Sequence, residues 1–274
     1  MIYDAIIIGG GPAGLMAANQ LEREHANFLL LEKNEKCGKK LLLTGGRRCN
    51  VTNHLSVRDF IDTLTFKHKR FLYPALETFG SDEVISFFSL HGLELVLENN
   101  FKYFPKTEKS LSVLQALTKD IKDNHIFFNQ SVKEIHKDDG LYRLLTKDFE
   151  YKTKNVVVAT GSNSFPSTGS SGDGLVFAKH LGVNYFDFTP AETHVYSNQV
   201  KEQLRELQGA SISQSLVKVK QIKKSYQGDL IFTHFGLSGP VIMHLAEFID
   251  YDIKLHKKSI VEVGFINQSS EQLY

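Results

Sequence analysis

A turn with three glycines, between a predicted strand and a predicted helix, constrains the fold of this chain most. Residues 3–8 form a short run rich in β-branched side chains, which predicts a buried strand. The turn that follows has the spacing G-x-G-x-x-G, and a helix is predicted over residues 12–23 because proline is tolerated in a first helical turn. A second buried strand is predicted over residues 27–32. This order of strand, helix and strand predicts two parallel strands.

Each glycine of the turn has its own expected role in binding a dinucleotide. Gly9 allows the tight turn, Gly11 lets a pyrophosphate approach the backbone, and Gly14 lets the helix pack closely on the strand. Pro12 and Ala13 open the helix, whose free N–H groups and positive end would face the phosphates.

An acidic residue closes the second predicted strand. Glu32 lies 18 residues after Gly14, and its carboxylate can accept hydrogen bonds from both ribose hydroxyls. The alternative is a glycine-rich structural turn with an incidental glutamate. Since the strand, the helix, the second strand and the acidic end all agree, the sequence favours a dinucleotide site.

The first unit alone does not distinguish NAD from FAD. A later buried strand, predicted over residues 155–159, ends in Ala159-Thr160-Gly161. This ending is similar to the second element of flavoproteins that bind two dinucleotides, which lies against the first glycine-rich turn. The alternative is an ordinary buried strand followed by a turn.

The remaining patterns indicate further elements and a boundary between two domains near residue 188. Residues 33–54 form a long polar, glycine-rich and basic loop, which is usually functional or mobile in a compact domain. The other predicted elements are a mainly helical segment at about 56–124 with a helix at 110–123, strands at 126–135 and 141–146, a helix at 174–181, and antiparallel strands around 216–222.

Composition excludes several classes of protein. The net charge of +1 attracts neither nucleic acid nor an anionic membrane, so we expect no partner of either kind. Two cysteines cannot staple a fold of 274 residues, and the histidines lack metal-ligand spacing, so no metal site is expected. No apolar run approaches the ~20 residues of a membrane span, and the start of the chain lacks signal-peptide features. We therefore expect a cytoplasmic protein.

Four stretches together resemble the bacterial aminoacetone-oxidase-type (YhiN/BaiN-like) family of FAD-binding enzymes. The resemblance covers nearly the whole chain, and two of its stretches are long. The stretches are residues 31–42, residues 44–53 (TGGRRCNVTN), residues 159–174 with Pro166 and TGSSGDG, and residues 232–240 (FTHFGLSGP).

The resemblance implies FAD rather than free NAD as the bound cofactor. It implies an α/β fold, with a Rossmann-type FAD-binding domain over residues 1–188 and a second, β-rich domain over residues 189–274 that is incomplete at the C-terminus. The expected cofactor-binding residues are Gly9, Gly11, Pro12, Ala13, Gly14, Glu32, Lys33, Lys40, Thr44, Gly45, Arg48, Cys49, Asn50 and Val132, with Ala159, Thr160, Gly161 and Asp173 nearby.

Two departures from the family pattern stand out. The family usually has glycine at the position of Arg47. If that position needs a positive φ, the arginine costs roughly 1 kcal/mol of backbone strain. Otherwise Arg47 supplies an extra contact to phosphate or substrate. Family members are also longer and return to the Rossmann domain with a late glycine-rich segment. No such segment follows Pro240, so we expect a C-terminally truncated chain.

The expected function is an FAD-dependent oxidoreductase that transfers hydride between the flavin and a small-molecule substrate or NAD(P)H. Its catalytic residues and oligomeric state do not follow from the sequence. Two alternatives stay open: a non-catalytic nucleotide-binding remnant of such a flavoprotein, and an NAD-dependent dehydrogenase. A catalytic disulfide is disfavoured because Cys37 and Cys49 lie twelve residues apart. A reduced cysteine near the cofactor is expected instead.

Overall fold

In the computed structural model, the chain folds into two compact units, Met1–Phe186 and Asp187–Tyr274. The boundary expected from the sequence is near residue 188. The structure describes residues 1–64, 66, 68–98 and 101–265.

The first unit contains nine strands and six helices among the described residues. In chain order these are β1 (Ile2–Ile8), α1 (Pro12–Arg23), β2 (Phe28–Leu31), β3 (Thr52–Asn53), α2 (Val57–Thr63), α3 (Tyr73–Thr78), α4 (Ser81–Leu90), β4 (Leu95–Leu97), β5 (Lys102–Pro105), α5 (Ser110–Thr118), β6 (Ile126–Phe127), β7 (Glu134–Asp138), β8 (Leu141–Leu145), β9 (Glu150–Val158) and α6 (Asp173–His180).

A six-stranded sheet with the order β6-β2-β1-β9-β8-β7 forms the centre of the first unit. Strand β1 pairs in parallel with both β2 and β9, and Ile7 lies opposite Leu30 on one side and Val157 on the other. Ile6 and Ile7 are fully buried because apolar clusters cover both faces of the sheet. The predicted β-α-β unit is thus present, with the expected parallel pairing.

A small antiparallel sheet, β3-β5-β4, lies in the segment that the sequence indicated as mainly helical. Its strands are two to four residues long. That length is too short to produce a readable alternation of apolar and polar residues, which is why the pattern missed them. The helix expected over residues 110–123 ends at Thr118.

The single strand expected over residues 126–135 is wrong. Strand β6 has only two residues, and β7 begins at Glu134. Between them, the backbone N–H groups of Asn129 and Gln130 donate to the carbonyls of Asn34 and Glu32, and Asn129 has a φ of 57°. These bonds hold the chain against the end of β2, so it does not continue as a strand.

The second unit is an antiparallel sheet packed on one long helix. The sheet has the order β10-β13-β12-β11-β14, and its strands and helices in chain order are β10 (Val195–Tyr196), α7 (Asn198–Gln203), β11 (Ser211–Val219), β12 (Lys224–Phe232), β13 (Gly236–Ser238), α8 (Pro240–His256) and β14 (Val261–Val263). Val217, Leu230 and Ile242 are fully buried between the sheet and α8.

The expected fold class is confirmed: an α/β protein with a Rossmann-type domain and a second, β-rich domain. Within the ranges that the structure describes, no helix combines the length and apolar character needed to cross a membrane.

Candidate functional site

The glycine-rich turn is packed against the end of β9. Gly9 has a φ of 109°, and a Cβ there would lie 2.5 Å from the carbonyl oxygen of Ala159. A Cβ at Gly14 would overlap the carbonyl oxygen of Gly9, so both positions require glycine. By contrast, nothing lies within 4 Å of a Cβ built at Gly11. The turn therefore has open space in front of Gly11, where the sequence places a pyrophosphate.

Helix α1 begins at this open space. Its N-cap is Gly11, which makes no side-chain capping bond, and Pro12 occupies the first helical position. Pro12 and Ala13 are exposed. An uncapped helix start presents N–H groups and a partial positive charge to an anion. The start of α1 therefore fits a phosphate group.

Glu32 connects the turn to the end of β2. Its carboxylate is buried and accepts hydrogen bonds from the backbone N–H of Gly10 at 2.7 Å, and from the backbone N–H and side-chain amide of Asn34 at 2.7 Å each. A buried carboxylate needs such donors to offset its lost hydration. Asn34 also donates to the carbonyl of Thr168, which brings a third segment to the same place.

Lys33 and Asp173, both expected at the cofactor, are bonded to each other. The Lys33 ammonium lies 2.7 Å from an Asp173 carboxylate oxygen and 2.7 Å from the Ser171 hydroxyl. A Cβ at Gly174 would lie 2.9 Å from the Thr160 hydroxyl, so the start of α6 packs against the end of β9. Gly161 has a φ of 73°. The structure thus brings Ala159, Thr160, Gly161 and Asp173 to the edge of the sheet where Glu32 lies.

The loop expected over residues 33–54 is shorter, because β3 occupies Thr52–Asn53. Residues 33–50, called the basic loop from here on, have an unusual backbone. Leu41–Arg47 is a series of tight turns, with Thr44 extended and both Gly45 and Gly46 left-handed. Arg47 and Cys49 also have positive φ values, 75° and 68°. Arg47 is exposed, so its position is of the kind that favours glycine.

Arg48 points into a cluster of its own. Its guanidinium is paired with Glu98, lies 3.1 Å from Glu108, and stacks 4.4 Å from the centre of the Phe104 ring. The hydrogen bond that the guanidinium donates to the Glu98 carboxylate raises the pKa of Arg48 above its usual value. Arg48 therefore anchors the loop to the β4–β5 hairpin.

Lys40 differs from the other half-buried basic residues of the loop. Lys39 lies 3.6 Å from Glu35, whereas in the described part of the chain no carboxylate forms an ion pair with Lys40. Its ammonium contacts the Ser164 hydroxyl at 3.2 Å, and burial lowers its pKa. A half-buried cation without a counter-ion is suited to meet a negatively charged group.

Both cysteines are buried free thiols. Burial, assisted by the nearby charge of Glu32, raises the pKa of Cys37 to about 12. Burial also raises the pKa of Cys49. A thiol is nucleophilic only as the thiolate, so neither cysteine is poised for disulfide exchange.

The other expected residues differ in their exposure. Thr44, Gly45 and Asn50 are exposed, and the Thr44 hydroxyl donates to the carbonyl of Leu41. The Val132 side chain is buried in the core with Ile8 and Leu31, so only its backbone could reach a cofactor. No group of three or more metal-binding side chains occurs among the residues that the structure describes.

Sequence reasoning missed Gly10 and Asn34. Besides donating to Glu32, Gly10 accepts from the Gly38 N–H at 2.9 Å, and a Cβ there would lie 2.5 Å from the Cys37 sulfur. The position of Gly10 inside a run of three glycines was a usable signal. The spacing of Asn34, two residues after the acidic strand end, was a weaker one.

Replacing Arg47 by glycine should stabilise the fold, because glycine adopts a φ of 75° without strain. We expect Arg47→Gly to raise the free energy of unfolding by up to about 1 kcal/mol. The matched control is Arg58→Gly in the exposed part of α2, which should cost about 1 kcal/mol. Urea unfolding of both variants tests this. If both variants lose the same free energy of unfolding, Arg47 is not strained.

The buried Cys37 thiol should make stability fall at alkaline pH. The unfolded chain loses this proton near the ordinary pKa of 9.0, whereas the folded chain keeps it to about pH 12. The contribution of Cys37 to the free energy of unfolding is therefore fully present below pH 9. Above pH 9 it falls by about 1.4 kcal/mol per pH unit.

Cys37→Ala removes this dependence. The difference in unfolding free energy between wild type and Cys37→Ala should be constant from about pH 7 to 8.5 and shift in favour of the variant above about pH 9. Urea unfolding at several pH values measures it. A difference that stays constant up to about pH 10.5 would show that Cys37 titrates normally.

Comparisons with known proteins agree with this geometry. The chain is 25% identical over 253 residues to the ribosomal RNA dihydrouridine synthase of Escherichia coli, covering 90% of this chain and 61% of the relative. It is 27% identical over 271 residues to the 3-dehydro-bile acid delta(4,6)-reductase of Clostridium scindens, covering 95% of this chain and 64% of that protein. The chain thus spans less than two thirds of the length of these two relatives.

A solved cyclohexanone monooxygenase in its closed form matches 58% of this chain and 26% of its own, at 20% identity and a TM-score of 0.35. The profile of the HI0933-like protein Rossmann domain matches residues 3–238. This match agrees with FAD as the cofactor. The chain belongs to the HI0933-like Rossmann-domain family.

Proposed function

We propose that the first unit binds FAD and that the protein is an FAD-dependent oxidoreductase acting on a small molecule. The observation that carries the proposal is the open space before Gly11, at the uncapped start of α1. A dinucleotide pyrophosphate needs this combination of close backbone approach and free N–H groups.

The proposed contacts follow the geometry around this turn. The start of α1 holds the pyrophosphate, and the Glu32 carboxylate accepts the ribose hydroxyls alongside its present donors. Lys40 meets negative charge of the cofactor. The exposed backbone at Thr44, Gly45 and Asn50 borders the flavin side, with Ala159–Gly161 and the Lys33–Asp173 pair nearby. Bound FAD supplies the hydride chemistry, and the protein binds and orients it.

The electron donor and the substrate are further parts of the proposal. NAD(P)H is the proposed donor, and the aminoacetone-oxidase-type subgroup is the proposed finer assignment, on the strength of the four stretches of resemblance. A cytoplasmic location is proposed with them.

An RNA substrate is a second candidate, favoured by the name of two relatives, ribosomal RNA dihydrouridine synthase, against the expectation of no nucleic-acid partner. Filter binding with a ribosomal RNA fragment tests it. If the chain binds the ribosomal RNA fragment no more tightly than it binds the polyanion heparin at matched charge, this candidate is rejected.

The visible absorption spectrum of the purified chain tests the main proposal. We expect flavin absorption and about one FAD per chain after release and quantification of the nucleotide. A colourless chain that takes up added FAD still supports binding. A colourless chain that rejects FAD supports the nucleotide-binding remnant, and one that instead binds NADH supports the dehydrogenase.

Two lysine variants test the contacts. Lys40→Gln should weaken FAD binding by about tenfold, because a half-buried cation that meets an anion contributes about 1.4 kcal/mol. Lys36→Gln, in the exposed part of the same loop, is the matched control and should bind FAD as wild type does. Titration of the FAD-free chain with FAD measures both affinities. Equal affinities in the two variants would remove Lys40 from the site.

A further inference from the structure

A cavity of about 300 Å³ lies in the first unit beside the basic loop. It is partly open to solvent and is bordered by β3, the residues that lead into α2, α2 itself, the end of α3 and the start of α4. A cavity of this volume falls at the lower end of the range of small-molecule sites. None of its twelve lining residues is ionisable.

Apolar side chains form about half of the surface of the cavity wall. Val57 and Phe60 come from α2, Leu76 from α3 and Val84 from α4. The methyl group Cγ2 of Val57 lies 3.7 Å from a Cβ built at Gly80, so α2 packs closely against the start of α4 at one side of the cavity. Such a wall suits the uncharged body of a small molecule.

The hydroxyl groups of the wall are already used within the protein. The Ser81 hydroxyl donates to the carbonyl of Asn53 at 2.6 Å and lies 2.8 Å from the Thr52 hydroxyl. The side-chain oxygen of Asn53 accepts from the Leu55 N–H, which leaves its NH₂ group as a donor. Within the described part of the chain, the Asn50 side chain makes no hydrogen bond. The two amides thus offer a small polar end.

The start of α4 does not convert the cavity into an anion site. Asp82 and Glu83 lie in its first turn, and the Glu83 carboxylate accepts from the Gly80 N–H at 2.9 Å. These carboxylates offset the positive end of the helix. An anion in the cavity would therefore lose hydration and face these carboxylates, and a cation would find no ionisable side chain in the wall itself.

The cavity adjoins the basic loop through Asn50. This residue directly follows Cys49, and its backbone nitrogen lies 3.5 Å from a Cβ built at Gly45. The polar end of the cavity is therefore on the side of the residues proposed to border the flavin.

We propose that this cavity binds a small neutral molecule with an apolar body and one hydrogen-bonding end, held by Asn50 and Asn53. Its use as the substrate pocket rests on the proposed FAD-dependent function, whereas the binding itself rests on the cavity alone.

Three probes of one ring size test the charge preference. Benzamide is neutral, benzoate is an anion and benzylammonium is a cation. Their binding to the purified chain is measured by ligand-observed NMR, with and without added FAD. We expect benzamide to bind at least about tenfold more tightly than either ion, because a buried unpaired charge is costly. Equal binding of all three, or binding of none, would overturn the proposal.

A substitution that fills the cavity tests the location. Val57→Phe should weaken benzamide binding at least about tenfold. The matched control is Val176→Phe on the exposed side of α6. This substitution should change the affinity for benzamide less than about twofold. Circular dichroism establishes that both variants fold. If Val57→Phe does not fold, intermolecular NOEs in the wild-type chain from benzamide to the methyl groups of Val57 and Leu76 decide, and their absence overturns the proposal.

The separate readouts distinguish this proposal from the function. A chain that binds benzamide selectively but rejects FAD keeps the neutral-ligand cavity and loses the flavoprotein function. A chain that binds FAD but treats the three probes alike keeps the function and loses the cavity proposal.

Discussion

The buried Glu32 carboxylate is the interaction on which the arrangement of the site depends. It accepts one hydrogen bond from Gly10, before α1, and two from Asn34, after β2. Since a buried carboxylate is costly without such donors, the turn and the start of the basic loop are held in one relative position. The same residue is the one proposed to receive the ribose. The proposed binding would thus use a carboxylate that the fold has already oriented.

The basic loop divides its charges between structure and binding. Lys33 is paired with Asp173, and Arg48 is paired with two glutamates while stacking on Phe104. Among the described residues, the Lys40 ammonium has only the Ser164 hydroxyl as a partner. From the sequence, all three are expected at the cofactor. Pairing over long distances in the chain leaves Lys40 as the cation best suited to meet an anion.

The left-handed residues of the loop explain why its course could not be predicted. Gly45 and Gly46 permit positive φ values, but Arg47 and Cys49 adopt them against their ordinary preference. Such conformations persist only where the surroundings impose them. Here the contacts of Arg48 with the β4–β5 hairpin lie between the two strained positions. Arg47, where the family usually has glycine, thus has a positive φ. This is the first of the two alternatives that the sequence left open, the other being an extra contact to phosphate or substrate.

The sequence by itself determined the β-α-β unit, the glycine-rich turn and the acidic strand end, because periodicity and glycine spacing act over a few neighbouring residues. It also indicated the antiparallel strands of the second unit. The sequence left two alternatives for Ala159, and the tertiary structure places it against Gly9, as the flavoprotein alternative expects. Only the tertiary structure decided that Arg48 faces acids and that short strands and helices line a cavity without ionisable side chains. These features depend on contacts between residues about 30 to 150 positions apart in the chain. Local propensity carries no information about such pairings, since packing and charge complementarity select them after the elements form.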